Sequence, residues 1–119
     1  MIEEQTLRKL YFDSSYATHG SGVGILLITP QGDYIPKSFK LQFRCTNNIA
    51  EYEALMVGLK TAIEWNITEL QIYGDSQLII KQTMDKYQTK DDKVLPYKDL
   101  VDQLKEHFLQ IQFIQVPRL

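Results

Sequence analysis

The chain has 119 residues, 44% apolar and 24% charged, which suits one globular domain with a core of its own. No apolar run approaches the roughly 20 residues that a transmembrane helix needs, and the acidic opening Met1-Ile2-Glu3-Glu4-Gln5 lacks the apolar core of a signal peptide. One cysteine, Cys45, excludes an intrachain disulfide and a cysteine zinc cluster, so a reducing, intracellular setting is expected. A net charge of −2 argues against a module that holds nucleic acid by phosphate neutralisation alone, and less against a nuclease, where bound divalent metals reverse the charge locally.

In chain order, Leu7 to Phe12 reads as a strand with Leu10 and Phe12 on one face and Tyr11 on the other. The polar, glycine-bearing stretch Asp13 to Gly22 reads as a turn, and Val23 to Ile28 as a buried strand. Pro30-Gln31-Gly32-Asp33 is a second turn, followed by a third strand from Tyr34 to Phe43 that alternates at Phe39, Leu41 and Phe43. Short turns join these strands, which predicts an antiparallel meander.

Asn47 or Asn48 can cap a helix over Ile49 to Trp65. Ala54, Gly58 and Ala62 recur along it, a face of small residues that lets a helix lie close on a sheet and offsets the roughly 1 kcal/mol that glycine costs in a helix. Thr68 to Tyr73 is a strand expected to pair parallel to an earlier one through a crossover. Asp75 to Met84 reads as a helix, Asp85 to Lys93 as a charged loop, and Pro96 to His107 as a third helix with Tyr97, Leu100, Val101, Leu104 and Phe108 on one side. Ile111 to Val116 is a fifth strand. The order βββαβααβ, with no repeat or linker, predicts one α/β domain over 1–119 with a mixed sheet.

Three acids stand out. Asp13 follows Leu10-Tyr11-Phe12, Asp75 follows Leu70-Gln71-Ile72-Tyr73-Gly74, and Glu51 lies in the first turns of the long helix. Carboxylates at the ends of buried elements suit Mg2+ or Mn2+, and two such ions together can hydrolyse a phosphodiester. On composition and periodicity alone the blander reading outweighs this one: Asp13 and Asp75 as turn or cap residues, and Glu51 as an acid favoured by the helix dipole. Glu53 competes with Glu51 but faces another direction. Gly20-Ser21-Gly22-Val23-Gly24 precedes a strand rather than a helix, which excludes a dinucleotide loop. His19 and His107 read as surface residues, and Lys86, Lys90 and Lys93 as a solvated basic cluster.

Four stretches in this order, Tyr11-Phe12-Asp13-Ser14-Ser15, Gly22 to Leu27, Thr46-Asn47-Asn48-Ile49-Ala50-Glu51-Tyr52-Glu53-Ala54-Leu55 and Gly74-Asp75-Ser76-Gln77-Leu78-Ile79-Ile80, resemble type 1 ribonuclease H, closest in flavour to the domain of retroelement polyproteins and its plant and prokaryotic relatives. The resemblance implies a ribonuclease H-like α/β fold, with a mixed five-stranded sheet in order 3-2-1-4-5, and metal-dependent cleavage of the RNA strand of an RNA/DNA hybrid. It implies Asp13, Glu51 and Asp75 as ligands of two Mg2+ ions, with Mn2+ able to substitute. Ser14, Ser15, Asn47, Asn48 and Gln77 are implied to contact the hybrid, amides being suited to 2′-hydroxyls and base edges. A monomeric domain is expected, without membrane association, within a polyprotein that carries a reverse transcriptase. Two departures accompany the resemblance. The family's usual Asp-Gly-Ser is here Asp13-Ser14-Ser15, and no acid follows His107, where the family has a last helix bearing a fourth acid. The domain is therefore read as C-terminally incomplete, with its last helix missing and its activity weakened. The alternative from another class is a non-catalytic nucleic-acid-binding or interaction module on the same fold, and a third reading is another nuclease or transposase-like member of the same superfamily.

Overall fold

The structure is a computed structural model that describes residues 8–17, 20–29, 31–41, 47–74 and 94–116, without the side chains of residues 15–17, 20, 21, 47 and 48. Five strands form one sheet: β1 (Arg8–Ala17), β2 (Gly20–Ile28), β3 (Tyr34–Lys40), β4 (Glu69–Gly74) and β5 (Gln110–Gln115). Two described helices accompany it, α1 (Asn47–Glu64) and α2 (Leu95–Lys105). The strand order is β3-β2-β1-β4-β5, with antiparallel pairing among the first three strands and parallel pairing of β4 to both β1 and β5. This is the mixed sheet expected from the sequence. The expected helix from Asp75 to Met84 and the loop with Lys86, Lys90 and Lys93 lie outside the described residues, as does His19.

Strand alternation sorts the sheet into two faces. Register aligns Ile35, Leu27, Leu10, Ile72 and Phe113 in one row across all five strands, on the side that carries the helices. Leu10, Leu27 and Ile72 are fully buried there beneath Leu55, Leu59 and Ala62 of α1. The face of small residues does what its spacing predicts: a Cβ added at Gly58 would sit 2.6 Å from Leu10 Cδ2, so the helix lies too close to β1 for a side chain. Helix α1 ends in a Schellman motif, with Ile67 N–H donating to Ala62 O and Asn66 N–H to Ile63 O, both at 3.0 Å. Asn66 adopts φ 57°, a left-handed conformation that asparagine tolerates, and Ile67 is buried behind it. In α2, Val101 is buried and Tyr97, Leu100 and Leu104 pack on the core, as their spacing predicts.

Three boundaries differ from expectation, each for a physical reason. Residues Asp13 to Ala17 are strand, not turn, because β1 continues its antiparallel ladder with β2 from Asp13↔Gly24 to Ala17↔Gly20. A ladder held by backbone hydrogen bonds needs no apolar pattern, so a polar segment opposite glycines can extend it. Helix α1 begins at Asn47, which puts Asn47 and Asn48 in its first turn rather than before it. The third strand stops at Lys40, with Leu41 packed on the core, Phe39 48% exposed on the edge strand, and Phe43 outside the described residues.

Candidate active site

The two neighbours of β1 leave it at different points. Parallel pairing with β4 runs only from Arg8↔Leu70 to Tyr11↔Tyr73, whereas the antiparallel ladder with β2 continues to Ala17. Asp13 and Ser14 lie just past the point where the β4 ladder ends. Asp13 is therefore not a strand-end residue, as the apolar run suggests, but a mid-strand residue at the edge of the parallel half of the sheet.

Alternation sends Leu10, Phe12 and Ser14 toward the helices and Tyr11 and Asp13 to the other side. Phe12 is buried, Asp13 is exposed and Ser14 is half-buried. Glu51, in the second turn of α1, is 1% exposed. A carboxylate so buried is rare unless it is hydrogen-bonded or paired. Its position argues against a solvated first-turn acid that merely complements the helix dipole. Glu53 is only partly buried, so Glu51 is the acid that the helix turns inward.

Ser14 joins the two acids. Its hydroxyl donates to Glu51 Oε1 at 2.6 Å, and its backbone N–H donates to Asp13 Oδ1 at 2.8 Å. The structure thus brings Glu51 to Ser14 directly and Asp13 to the same residue from the adjoining side of β1. Asp75 and Gln77 lie outside the described residues, as do the side chains of Ser15, Asn47 and Asn48; Gly74, the last residue of β4, immediately precedes Asp75. Among the described residues no three His, Cys, Asp or Glu side chains gather into one group.

An open cleft of about 950 Å³ borders this point, lined by Tyr11, Asp13, Gly24, Lys40, Tyr73 and Gly74 among others. Tyr11 and Tyr73 stack across the parallel ladder with ring centroids 4.8 Å apart. Next to Glu51 on α1, the wholly buried Tyr52 leans on Tyr97 of α2 at 6.3 Å. Burial pushes the Tyr52 hydroxyl up to about 12, against a lowering by Lys98 and with a further rise from Asp102; those two residues pair at 3.0 Å. Sequence reasoning missed the Ser14–Glu51 bond because it placed Ser14 in a turn. Continuing the alternation of Leu10 and Phe12 by one step would have put Ser14 on the helix side.

This arrangement, a 3-2-1-4-5 mixed sheet with the described helices on one face and Asp13 and the Ser14–Glu51 bond just past the end of the parallel ladder, defines a ribonuclease H-like fold. The family model described as reverse transcriptase-like matches residues 11–119. The ribonuclease HI of Halobacterium salinarum is 30% identical over 112 residues, covering 91% of this chain and 55% of that protein. The crystal structure of ribonuclease H1 from the same archaeon superposes with a TM-score of 0.86 at 28% identity, covering 94% of this chain and 86% of that one. The structure of LC11 ribonuclease H1 in complex with an RNA/DNA hybrid superposes with a TM-score of 0.83 at 23% identity, covering 93% and 86%, a likeness of fold. The chain belongs to the type 1 ribonuclease H family. It spans about half the length of the curated halobacterial relative, and 21% of the bifunctional protein Rv2228c of Mycobacterium tuberculosis, to which it is 33% identical over 75 residues.

Proposed function

We propose that the chain is a ribonuclease H-type endoribonuclease that hydrolyses the RNA strand of an RNA/DNA hybrid with divalent metal. The observation that carries the reading is the pair of carboxylates, Asp13 on β1 and the buried Glu51 on α1, that Ser14 ties together. These are hard oxygen donors of the kind Mg2+ and Mn2+ take, one open to solvent and one withdrawn from it. The donor set therefore fits a divalent metal, with Asp13 and Glu51 as ligands and Asp75, next after Gly74, as the third. Bound metal supplies activation of the attacking water and neutralisation of charge on the leaving oxygen.

The chain's own residues do the rest. Asp13 presents its carboxylate to solvent, where a phosphate can approach, while α1 and the sheet exclude water from Glu51. The amides of Asn47, Asn48 and Gln77 are suited to the 2′-hydroxyls that distinguish RNA from DNA, and Ser15 completes the set assigned to the hybrid. Support for the hybrid as substrate comes from the relative solved with one.

The test is incubation of labelled hybrid, RNA duplex and DNA duplex with Mg2+ or Mn2+. Cleavage of the RNA strand in the hybrid alone is expected, and its loss in Asp13→Asn, Glu51→Gln and Asp75→Asn. Tight binding of hybrid with no cleavage in either metal would instead favour the non-catalytic module.

A further inference from the structure

Ser14 follows Asp13 directly on β1 and turns its hydroxyl toward α1. That hydroxyl donates to Glu51 Oε1 at 2.6 Å, within the roughly 2.5–3.0 Å of O–H···O hydrogen bonds. The same residue's amide holds Asp13 Oδ1 at 2.8 Å. Ser14 is locked into the β2 ladder opposite Val23, so its hydroxyl is held by a rigid strand rather than a loop. One residue on a fixed backbone thus sets the orientation of two acids that come from different elements.

We infer that Ser14 is a positioning residue for the metal site: its hydroxyl fixes the plane of the Glu51 carboxylate and its amide fixes Asp13. The inference rests on the metal-dependent reading above. A glutamate reaches its ligand position through three side-chain torsions, and a carboxylate has two oxygens to offer. A donor on Oε1 removes the rotational freedom that metal binding would otherwise have to freeze. Groups that orient metal ligands typically change metal affinity about 10–100-fold when removed. The role assigned to Ser14 is therefore to order the acids, distinct from contact with the hybrid.

The experiment measures Mn2+ binding to the chain by calorimetry, with no nucleic acid present, for wild type, Ser14→Ala, Ser14→Thr, Asp13→Asn and Glu51→Gln. Circular dichroism and thermal melts without metal check that each variant is folded. Expected results are a rise in the Mn2+ dissociation constant of about tenfold or more in Ser14→Ala, and a value within about twofold of wild type in Ser14→Thr, which keeps the donor. A merely structural role would lower the metal-free melting temperature and leave Mn2+ affinity unchanged. If Ser14→Ala binds Mn2+ like wild type while Asp13→Asn and Glu51→Gln lose it, the positioning role is overturned and the metal site stands. Equal losses in Ser14→Ala and Ser14→Thr overturn the positioning role too. Mn2+ binding that is absent in wild type, or untouched by Asp13→Asn and Glu51→Gln, overturns the metal site and the positioning role with it.

Discussion

Replacing Gly74 by alanine is the sharpest probe of how the fold delivers its acids. Gly74 ends β4 immediately before Asp75, and Phe12, whose ring packs on it, immediately precedes Asp13. A Cβ at Gly74 would lie 2.5 Å from Phe12 Cε1 and 2.6 Å from Cζ. Ordinary carbon contacts are about 3.5–4.0 Å, so the ring must retreat by roughly 1 Å, and a buried aromatic ring cannot do so by bending its tip. Overpacking of this kind costs about 1–3 kcal/mol, against the roughly 0.4–1 kcal/mol that a glycine-to-alanine change returns through the unfolded chain. Gly74→Ala is therefore expected to destabilise by about 1–2 kcal/mol in urea melts. Phe12→Leu removes Cε1 and Cζ, so the double variant Phe12→Leu/Gly74→Ala should be more stable than the sum of the single changes by about 1 kcal/mol or more. Additivity within about 0.5 kcal/mol would refute the contact as the cause.

Gly58→Ala should cost less than Gly74→Ala, because the obstacle is the flexible tip of Leu10 at 2.6 Å and alanine returns about 1 kcal/mol of helix propensity; the same urea melts decide the order. Tyr52, raised from 10.0 to about 12, keeps its proton in the folded state while the unfolded chain loses it, so the folded state binds more protons between those values. Stability should accordingly be intact below pH 10 and fall by on the order of 2 kcal/mol from pH 10 to 12; Tyr52→Phe should lack that part of the slope, and identical slopes in the two proteins would contradict the burial argument. Metal at about ten times its dissociation constant should stabilise the chain by about 1.4 kcal/mol, a melting shift of about 5 °C, and Asp13→Asn should abolish it; an equal shift in that variant would locate the metal elsewhere.

The strand directions were legible because each connection obeys a strong rule: short turns make β1, β2 and β3 antiparallel, and a strand after a helix pairs parallel; the order 3-2-1-4-5 came from the family resemblance. Gly58 was legible because one glycine in a row of small residues has few uses on a helix other than close approach. Glu51 and its inward direction followed from a motif rather than from periodicity, which by itself favoured a dipole-stabilising acid. The far half of β1 was illegible because Ser14 to Ala17 shows no apolar alternation; its strand character comes from the partner segment Gly20–Val23, a contact no local pattern records. The Ser14–Glu51 bond joins residues 37 positions apart and was hidden for the same reason. The start of α1 was placed two residues late because asparagines read as caps, while the helix takes them into its first turn.

The central strand has neighbours of very different ages. Leu27, which pairs with Leu10, is synthesised 17 residues after it (27 − 10), whereas Ile72 on the other flank arrives 62 residues after it (72 − 10). Closing the second loop carries the larger entropy cost, so the meander β1–β3 with α1 laid on it is the natural nucleus, and β4 and β5 dock afterwards onto a waiting edge. In refolding kinetics, Leu27→Ala should slow folding and Phe113→Ala should chiefly speed unfolding. The parallel edge of β1, next to which Asp13 and Ser14 stand, is then the last seam of the protein to close. The Ser14–Glu51 bond, which joins β1 to α1, then forms within the nucleus, and only the β4 side of the candidate site waits for that seam.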